Sequence, residues 1–306
     1  MHQILVKAKP FLKWAGGKGQ LLEQIDKHLP IELKKGKIKY YYEPFLGGGA
    51  VFFHIMQKYP IQFSYLSDLN EELILVYSVL QKSVEQLINE LTKLSNEYYK
   101  IDETTREEYF YSIRHAFNEK RSKIDFDNYS ANWIERASET IFLNRTCYNG
   151  LFRLNKNGAF NVPFGRYKNP RILDEDNLRN VSKLLERAKI FKADFAEVKN
   201  IIDKDFFIYF DPPYRPISKT ASFTSYSKYD FIDADQKRLA RLFRELSHNG
   251  NKLLLSNSDP KNENPNDDFF EELYGGFNIT RIDANRMINC NAAKRGQIKE
   301  LLITNY

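Results

Sequence analysis

Tyr40-Tyr41-Tyr42-Glu43-Pro44-Phe45-Leu46-Gly47-Gly48-Gly49-Ala50 reads as an aromatic strand, a glycine turn and the first residue of a helix. Residues 40–45 suit a buried strand and 50–57 a helix, the order of a nucleotide-binding α/β unit. A second strand, 61–66, ends at Ser67-Asp68. Strands return at 189–192, 206–210, 252–256 and 298–304, after a helix near 176–188, so a mostly parallel, Rossmann-like sheet is expected. Between these two parts the pattern is helical from Glu71 to about Cys147, with Leu73, Val76, Leu80, Leu87, Ile88 and Leu91 at helical spacing. Residues 151–164, turning at Asn157-Gly158, read as a β-hairpin that Pro163 ends. The predicted division is 1–71 plus 188–306 as one domain and 72–187 as an insert. Residues 261–268, rich in Asn, Pro and acid, read as a flexible loop.

The glycine turn lets backbone approach a ligand closely, and Asp68, at the end of the next strand, is placed for ribose hydroxyls. That suits any adenosine cofactor, although such a turn is also common as plain structure. A dinucleotide fingerprint would need glycine where Phe52 stands. A phosphate loop fails as well, because Lys13 occupies the place of its first glycine and Gly19 follows Lys18 where Ser or Thr is required.

Asp211-Pro212-Pro213-Tyr214, after the apolar strand Phe206-Phe207-Ile208-Tyr209-Phe210, narrows the choice. An exocyclic nucleobase amine is a poor nucleophile because its lone pair is delocalised into the ring. A carboxylate and a backbone carbonyl, stiffened by two prolines, can accept its hydrogens as a bond forms, while the tyrosine offers a stacking face. Asp-Pro-Pro also ends strands in ordinary loops. Combined with the Gly47 to Gly49 turn and Asp68, it points to S-adenosylmethionine and direct methyl transfer, in which positioning and charge stabilisation do most of the catalysis.

Composition bounds the rest. The 306 residues can fold as one large domain or two unequal ones, and a net charge of +6 permits a polyanionic partner without requiring one. The 2 cysteines, Cys147 and Cys290, cannot make a disulfide framework, and no His/Cys cluster has metal-ligand spacing, so no metal is expected and a reducing cytoplasmic setting fits. The N-terminal apolar run Ile4-Leu5-Val6 is too short for a signal peptide, and no stretch approaches the roughly 18 apolar residues of a membrane span.

With these residues in hand, the chain resembles the Dam-like, D12-class, α-group DNA adenine-N6 methyltransferases over most of its length. The matching blocks are Phe11-Leu12-Lys13-Trp14-Ala15-Gly16-Gly17-Lys18, Tyr42 to Gly49, Ser67-Asp68-Leu69-Asn70, Tyr148-Asn149-Gly150-Leu151-Phe152-Arg153, Phe160 to Tyr167 and Asp211 to Tyr214, in the family's order. Lys294-Arg295-Gly296 and Glu300 to Tyr306 are similar to its closing segment. The resemblance implies that Trp14, Lys18, Phe45, Gly47, Gly49, Asp68, Asp194 and Asp211 hold S-adenosylmethionine, and that Asp211, Pro212, Pro213 and Tyr214 carry the chemistry. It further implies that the insert recognises double-stranded DNA, with Tyr148 entering the duplex as the adenine flips out and Asn149 nearby. Arg153 would read a guanine, Leu151 and Pro163 a thymine methyl, and Arg166 a phosphate, together suggesting GATC. A monomer is expected, while a restriction endonuclease as genetic neighbour, a solitary bacterial enzyme and a phage-borne one all stay open. Two other readings keep the fold: methylation of RNA or a protein amide, and DNA binding without catalysis.

Overall fold

A computed structural model describes residues 7–202, 204–215, 231–285 and 297–306. Helices α1 (Leu22–Lys27) and α2 (Ile31–Lys34) lead into β1 (Tyr40–Glu43), α3 (Ala50–Lys58) and β2 (Phe63–Asp68). The helical stretch follows as α4 (Glu71–Lys82), α5 (Val84–Lys100), α6 (Arg106–Lys120), α7 (Asn132–Thr146) and α8 (Glu175–Leu185). The sheet then resumes with β3 (Ala188–Lys192), β4 (Phe206–Phe210), α9 (Asp233–His248), β5 (Lys252–Ser258), α10 (Phe269–Leu273), β6 (Asn278–Asn285) and β7 (Gln297–Thr304).

These make one seven-stranded sheet in the order β3-β2-β1-β4-β5-β7-β6. β1 pairs in parallel with both β2 and β4, whereas β7 runs antiparallel to its neighbours β5 and β6. All of β4 is buried, and its side chains alternate between the two faces. Tyr41, Phe207, Tyr209 and Leu254 join one core with α3 and α4, while Tyr42, Ile208, Phe210 and Leu255 join another with α9. A central strand covered on both sides needs this period of two without any polar face.

β1 stops at Glu43 rather than at residue 45, because Pro44 has no N–H to continue the ladder. The predicted strand at 61–66 lies two residues later, and the helix at 176–188 ends at Leu185. The anticipated hairpin is reduced to one isolated bridge, Leu154 to Phe160, with Asn161 N–H donating to the Arg153 carbonyl. Its backbone is held as well by α6, where the Asn118 side chain accepts from the N–H and donates to the carbonyl of Phe160. Residues 261–268 begin in a 3₁₀ turn, Pro260–Asn262, capped by the Asp259 side chain, and Lys261 pairs with Asp268 at 2.5 Å. Neither α9 nor β6 was anticipated.

The helical stretch is anchored at the start of α4. Asn70 caps that helix by accepting from the amides of Glu72 and Leu73. Glu72, fully buried, then accepts from Arg136 on α7 at 2.5 Å and 3.0 Å and from Arg121 after α6. Arg136 is itself 1% exposed, lies over the Phe117 ring and donates to the Phe117 carbonyl. Among the described residues, no helix is long and apolar enough to cross a membrane.

Candidate active site

The sheet order reverses direction between β1 and β4, since β1 continues outward to β2 and β3 and β4 to β5. At such a point the loops leaving adjacent strand ends diverge to opposite faces and open a crevice at the carboxyl edge. The Gly47 to Gly49 turn leaves β1 there, Asp211 leaves β4, and Asp68 ends the neighbouring β2. The strand order thus brings together three segments far apart in the chain.

On the β4 side, Asp211 Oδ1 accepts from Lys18 Nζ at 2.8 Å and from Ser256 Oγ at 2.9 Å. Ser256 is held in turn by Tyr209 at 2.8 Å. The Lys18 side chain is only 3% exposed, also bonds the Gly16 carbonyl, and sits 4.6 Å from the centre of the Tyr214 ring. A buried ammonium that shares a carboxylate, a carbonyl and an aromatic face fixes all three. Tyr214 Oη donates to Glu300 at 2.6 Å. Pro212 is buried, and Pro213 is exposed with its carbonyl accepting from Gln236. Lys18, which the family resemblance assigns to the cofactor, is therefore committed here to the Asp211 side of the crevice.

On the β1 and β2 side, Asp68 accepts from the Gly47 amide at 3.0 Å through one oxygen and from the Asn70 amide at 2.9 Å through the other. Its burial raises the carboxyl above the usual range, opposed by the amides of Asn70, Gly47 and Leu69. With about four lone-pair sites on the two oxygens, the carboxylate keeps room to accept from a hydroxyl. Trp14 lies on the glycine turn, where a β-carbon on Gly47 would stand 3.0 Å from its indole. Phe45 stacks on Phe195 at 5.4 Å, and Phe231 meets Phe45 edge-on. Asp194, beside this aromatic group, caps a 3₁₀ turn through the Ala196 amide and pairs with Arg238 at 2.8 Å. Beneath both sides lies Glu43, whose carboxyl burial pushes far up, with the Tyr41 hydroxyl donating to it at 2.6 Å.

Gly49 adopts φ +70°, and a β-carbon there would come within 2.5 Å of the Tyr77 hydroxyl. Gly49→Ala should therefore lower stability by about 1–3 kcal/mol, read as a fall in the urea midpoint. An unchanged midpoint would show that the turn relaxes freely.

The residues expected to meet DNA cluster at the end of α7. Tyr148, 55% exposed, starts a one-turn 3₁₀ helix, Tyr148–Gly150, inside which Asn149 has φ +57°. The Tyr148 amide donates to the Pro163 carbonyl, so these two exposed residues are neighbours although remote in sequence. Leu151 is half-buried, and Arg153 donates through Nε to Asn161 at 2.7 Å. Arg166, exposed with φ +52°, pairs with Glu107 at 3.1 Å. The cluster is tied to the crevice by Asn144, which bonds the amide and carbonyl of Lys13 and the carbonyl of Gly150, and by Phe152, which stacks on Trp14 at 5.7 Å.

Burial raises the Cys147 thiol to about 12, consistent with a packing role, while Cys290 and Lys294-Arg295-Gly296 fall outside the described residues. Among the described residues no group of His, Cys, Asp and Glu could hold a metal ion. Sequence reading did not single out Ser256, Glu300, Arg238 or Glu43. Glu300, ahead of the apolar run Leu301-Leu302-Ile303, and Glu43, after three tyrosines, are the two that left a signal.

A seven-stranded sheet with a reversed β7, gathering strand-end acids around a glycine turn, defines a Rossmann-like methyltransferase domain. The family model described as D12 class N6 adenine-specific DNA methyltransferase matches residues 14–288, and the chain belongs to that family. It is 54% identical over 302 residues to the type II methyltransferase M.MjaIII of Methanocaldococcus jannaschii, covering 98% of this chain and 100% of that protein. It is 38% identical to the type II methyltransferase M1.LlaDCHI of Lactococcus lactis subsp. cremoris, with 98% and 96% covered. It is 33% identical to the DNA adenine methylase of Haemophilus influenzae, with 97% and 93% covered. The protein is a DNA adenine methyltransferase.

Proposed function

We propose that this protein transfers a methyl group from S-adenosylmethionine to N6 of an adenine flipped out of double-stranded DNA, within GATC. The observation that carries the reading is the disposition of Asp211. Both hydrogen bonds to its carboxylate fall on Oδ1, so among the described residues Oδ2 is the oxygen available to accept from an amine. With the Pro212 carbonyl as second acceptor, electron density is drawn onto nitrogen as the bond forms. The target base is stacked and paired in the duplex, so it must leave the stack to reach these groups, at roughly a few kcal/mol.

The crevice suits the proposed donor. Asp68, oriented by two amides, retains acceptor sites for ribose hydroxyls, and the Phe45, Phe195 and Phe231 rings beside Asp194 suit a purine. When bound, S-adenosylmethionine supplies an electrophilic methyl carbon. Trp14, Gly47 and Gly49 shape the wall on that side, while Lys18 holds Asp211 and the Tyr214 ring from the other.

Residues 72–187 serve in this reading as the recognition domain and 1–71 with 188–306 as the catalytic one. Tyr148 fills the gap left by the base with Asn149 beside it, Leu151 and Pro163 meet the thymine methyl, and Arg166 meets a phosphate. Arg153 reads a guanine, its Nε committed to Asn161 and its Nη atoms left to approach O6 and N7. The type II names of two relatives favour a restriction endonuclease as genetic neighbour.

Labelled S-adenosylmethionine with matched GATC and scrambled duplexes tests the proposal. Incorporation confined to GATC is expected, and equal incorporation would reject the site. Arg153→Ala should weaken discrimination at one guanine by about 1–3 kcal/mol while the methyl-transfer rate on GATC survives. Unaltered discrimination across duplexes substituted at that position would remove Arg153 as a reader.

A further inference from the structure

Glu300 lies on β7, the strand whose direction is reversed, opposite Ser258 of β5 and Ile282 of β6. A parallel strand brings only its end to the carboxyl edge of the sheet. An antiparallel one brings its beginning, so β7 delivers an early side chain to the crevice. That side chain is an acid, 9% exposed, followed along the strand by buried Leu301, Leu302 and Ile303. A carboxylate so placed costs desolvation unless it is partnered. Its described partner is the Tyr214 hydroxyl at 2.6 Å; burial raises its carboxyl above the usual range, and the Lys18 ammonium and the Tyr214 hydroxyl oppose that rise.

Tyr214 is thereby held from several directions. Its backbone follows Pro213, Lys18 stands over the ring at 4.6 Å, and its hydroxyl is engaged by Glu300. With the ammonium over one face, the opposite face is the one left for an aromatic partner. Burial and the nearby Asp211 and Glu300 charges push the phenol well above its usual range, so it remains a donor to Glu300. A tyrosine in a loop would otherwise rock about its side-chain bonds, and small angular errors in a stacked substrate are costly to rate.

We propose that Glu300 is a positioning residue for the target base: by holding the Tyr214 hydroxyl it fixes the plane of the ring against which the everted adenine stacks. This rests on the base-flipping reading above, and it assigns a role in that step to the strand that closes the sheet. The acid does not touch the reacting atoms.

The test uses the full-length protein in single turnover, with duplex and S-adenosylmethionine affinities measured beside it. Glu300→Ala should slow methyl transfer about tenfold or more, with both affinities within about threefold of wild type. Glu300→Gln keeps an acceptor oxygen and should recover most of the rate. Tyr214→Phe should resemble Glu300→Ala, and the double variant should be little worse than either, because both remove one hydrogen bond. A Glu300→Ala rate within about threefold of wild type overturns the inference while leaving the methyl-transfer reading intact. So does a rate loss that Gln fails to restore and that is accompanied by lost cofactor affinity, the signature of a damaged fold. A wild-type protein that transfers no methyl group to any duplex would remove the methyl-transfer reading, and this inference with it.

Discussion

Replacing Asp211 by Ala should reduce methyl transfer by about 10³-fold or more in single turnover while leaving duplex affinity close to wild type. The substitution deletes an acceptor for the amine hydrogens and leaves the Lys18 ammonium, 3% exposed, without its carboxylate. The reacting centre is thus altered twice, in hydrogen bonding and in charge. Duplex affinity should survive because the exposed residues expected to meet DNA, Tyr148, Asn149, Pro163 and Arg166, stand on a different segment. Asp211→Asn retains one acceptor oxygen and should keep more activity than Ala, which separates the loss of the acceptor from the loss of charge. Labelled-methyl incorporation and fluorescence anisotropy on the same duplex read the two quantities. An Ala variant with a rate within about tenfold of wild type would take Asp211 out of its proposed role.

Glu72→Ala should produce the largest loss of stability, about 3–5 kcal/mol, seen as a melting temperature lower by roughly 10 °C. Glu72 is fully buried, and its removal strands Arg136, 1% exposed, and leaves Arg121 with Glu71 as its remaining carboxylate partner. A buried guanidinium without its counter-charge is costly, whereas an apolar pair of similar size can be nearly neutral. The Glu72→Leu, Arg136→Met double variant should therefore melt above Glu72→Ala. If Glu72→Ala melted within about 2 °C of wild type, the Arg121, Arg136 and Glu72 group would not be what fastens α6 and α7 to α4.

The α/β core was legible because its signals are local. β4 is an unbroken apolar run, the glycine turn follows an aromatic strand, and Asp68 and Asp211 stand at strand ends that the chain itself marks. β6 is hard to read because only Ile282 and Ala284 mark its buried face, too short an apolar pattern at a sheet edge to stand out from the flanking polar residues. α9 is legible from Leu239, Leu242, Phe243 and Leu246 at helical spacing. The hairpin is shorter than its sequence suggests: Asn157-Gly158 does mark a turn and Leu154 meets Phe160 across it, but the outward N–H and carbonyl of Phe160 are satisfied by the Asn118 side chain of α6. Within the candidate site, the acids and glycines were visible one by one. Their partners were not. Ser256 and Glu300 reach Asp211 and Tyr214 through sheet order and the reversal of β7, which no local window encodes.

Asn144 ties Lys13 to Gly150, and Trp14 lies flat on Phe152, so the N-terminal loop that carries Lys18 is fastened directly to the turn that bears Tyr148 and Arg153. Modular exchange is constrained by that clasp. A chimera that borrows the proposed recognition domain, residues 72–187, from a relative brings its own residues at 144 and 152 against the old Lys13 and Trp14. Retargeting by transplantation should succeed only when residues 11–18 travel with the graft.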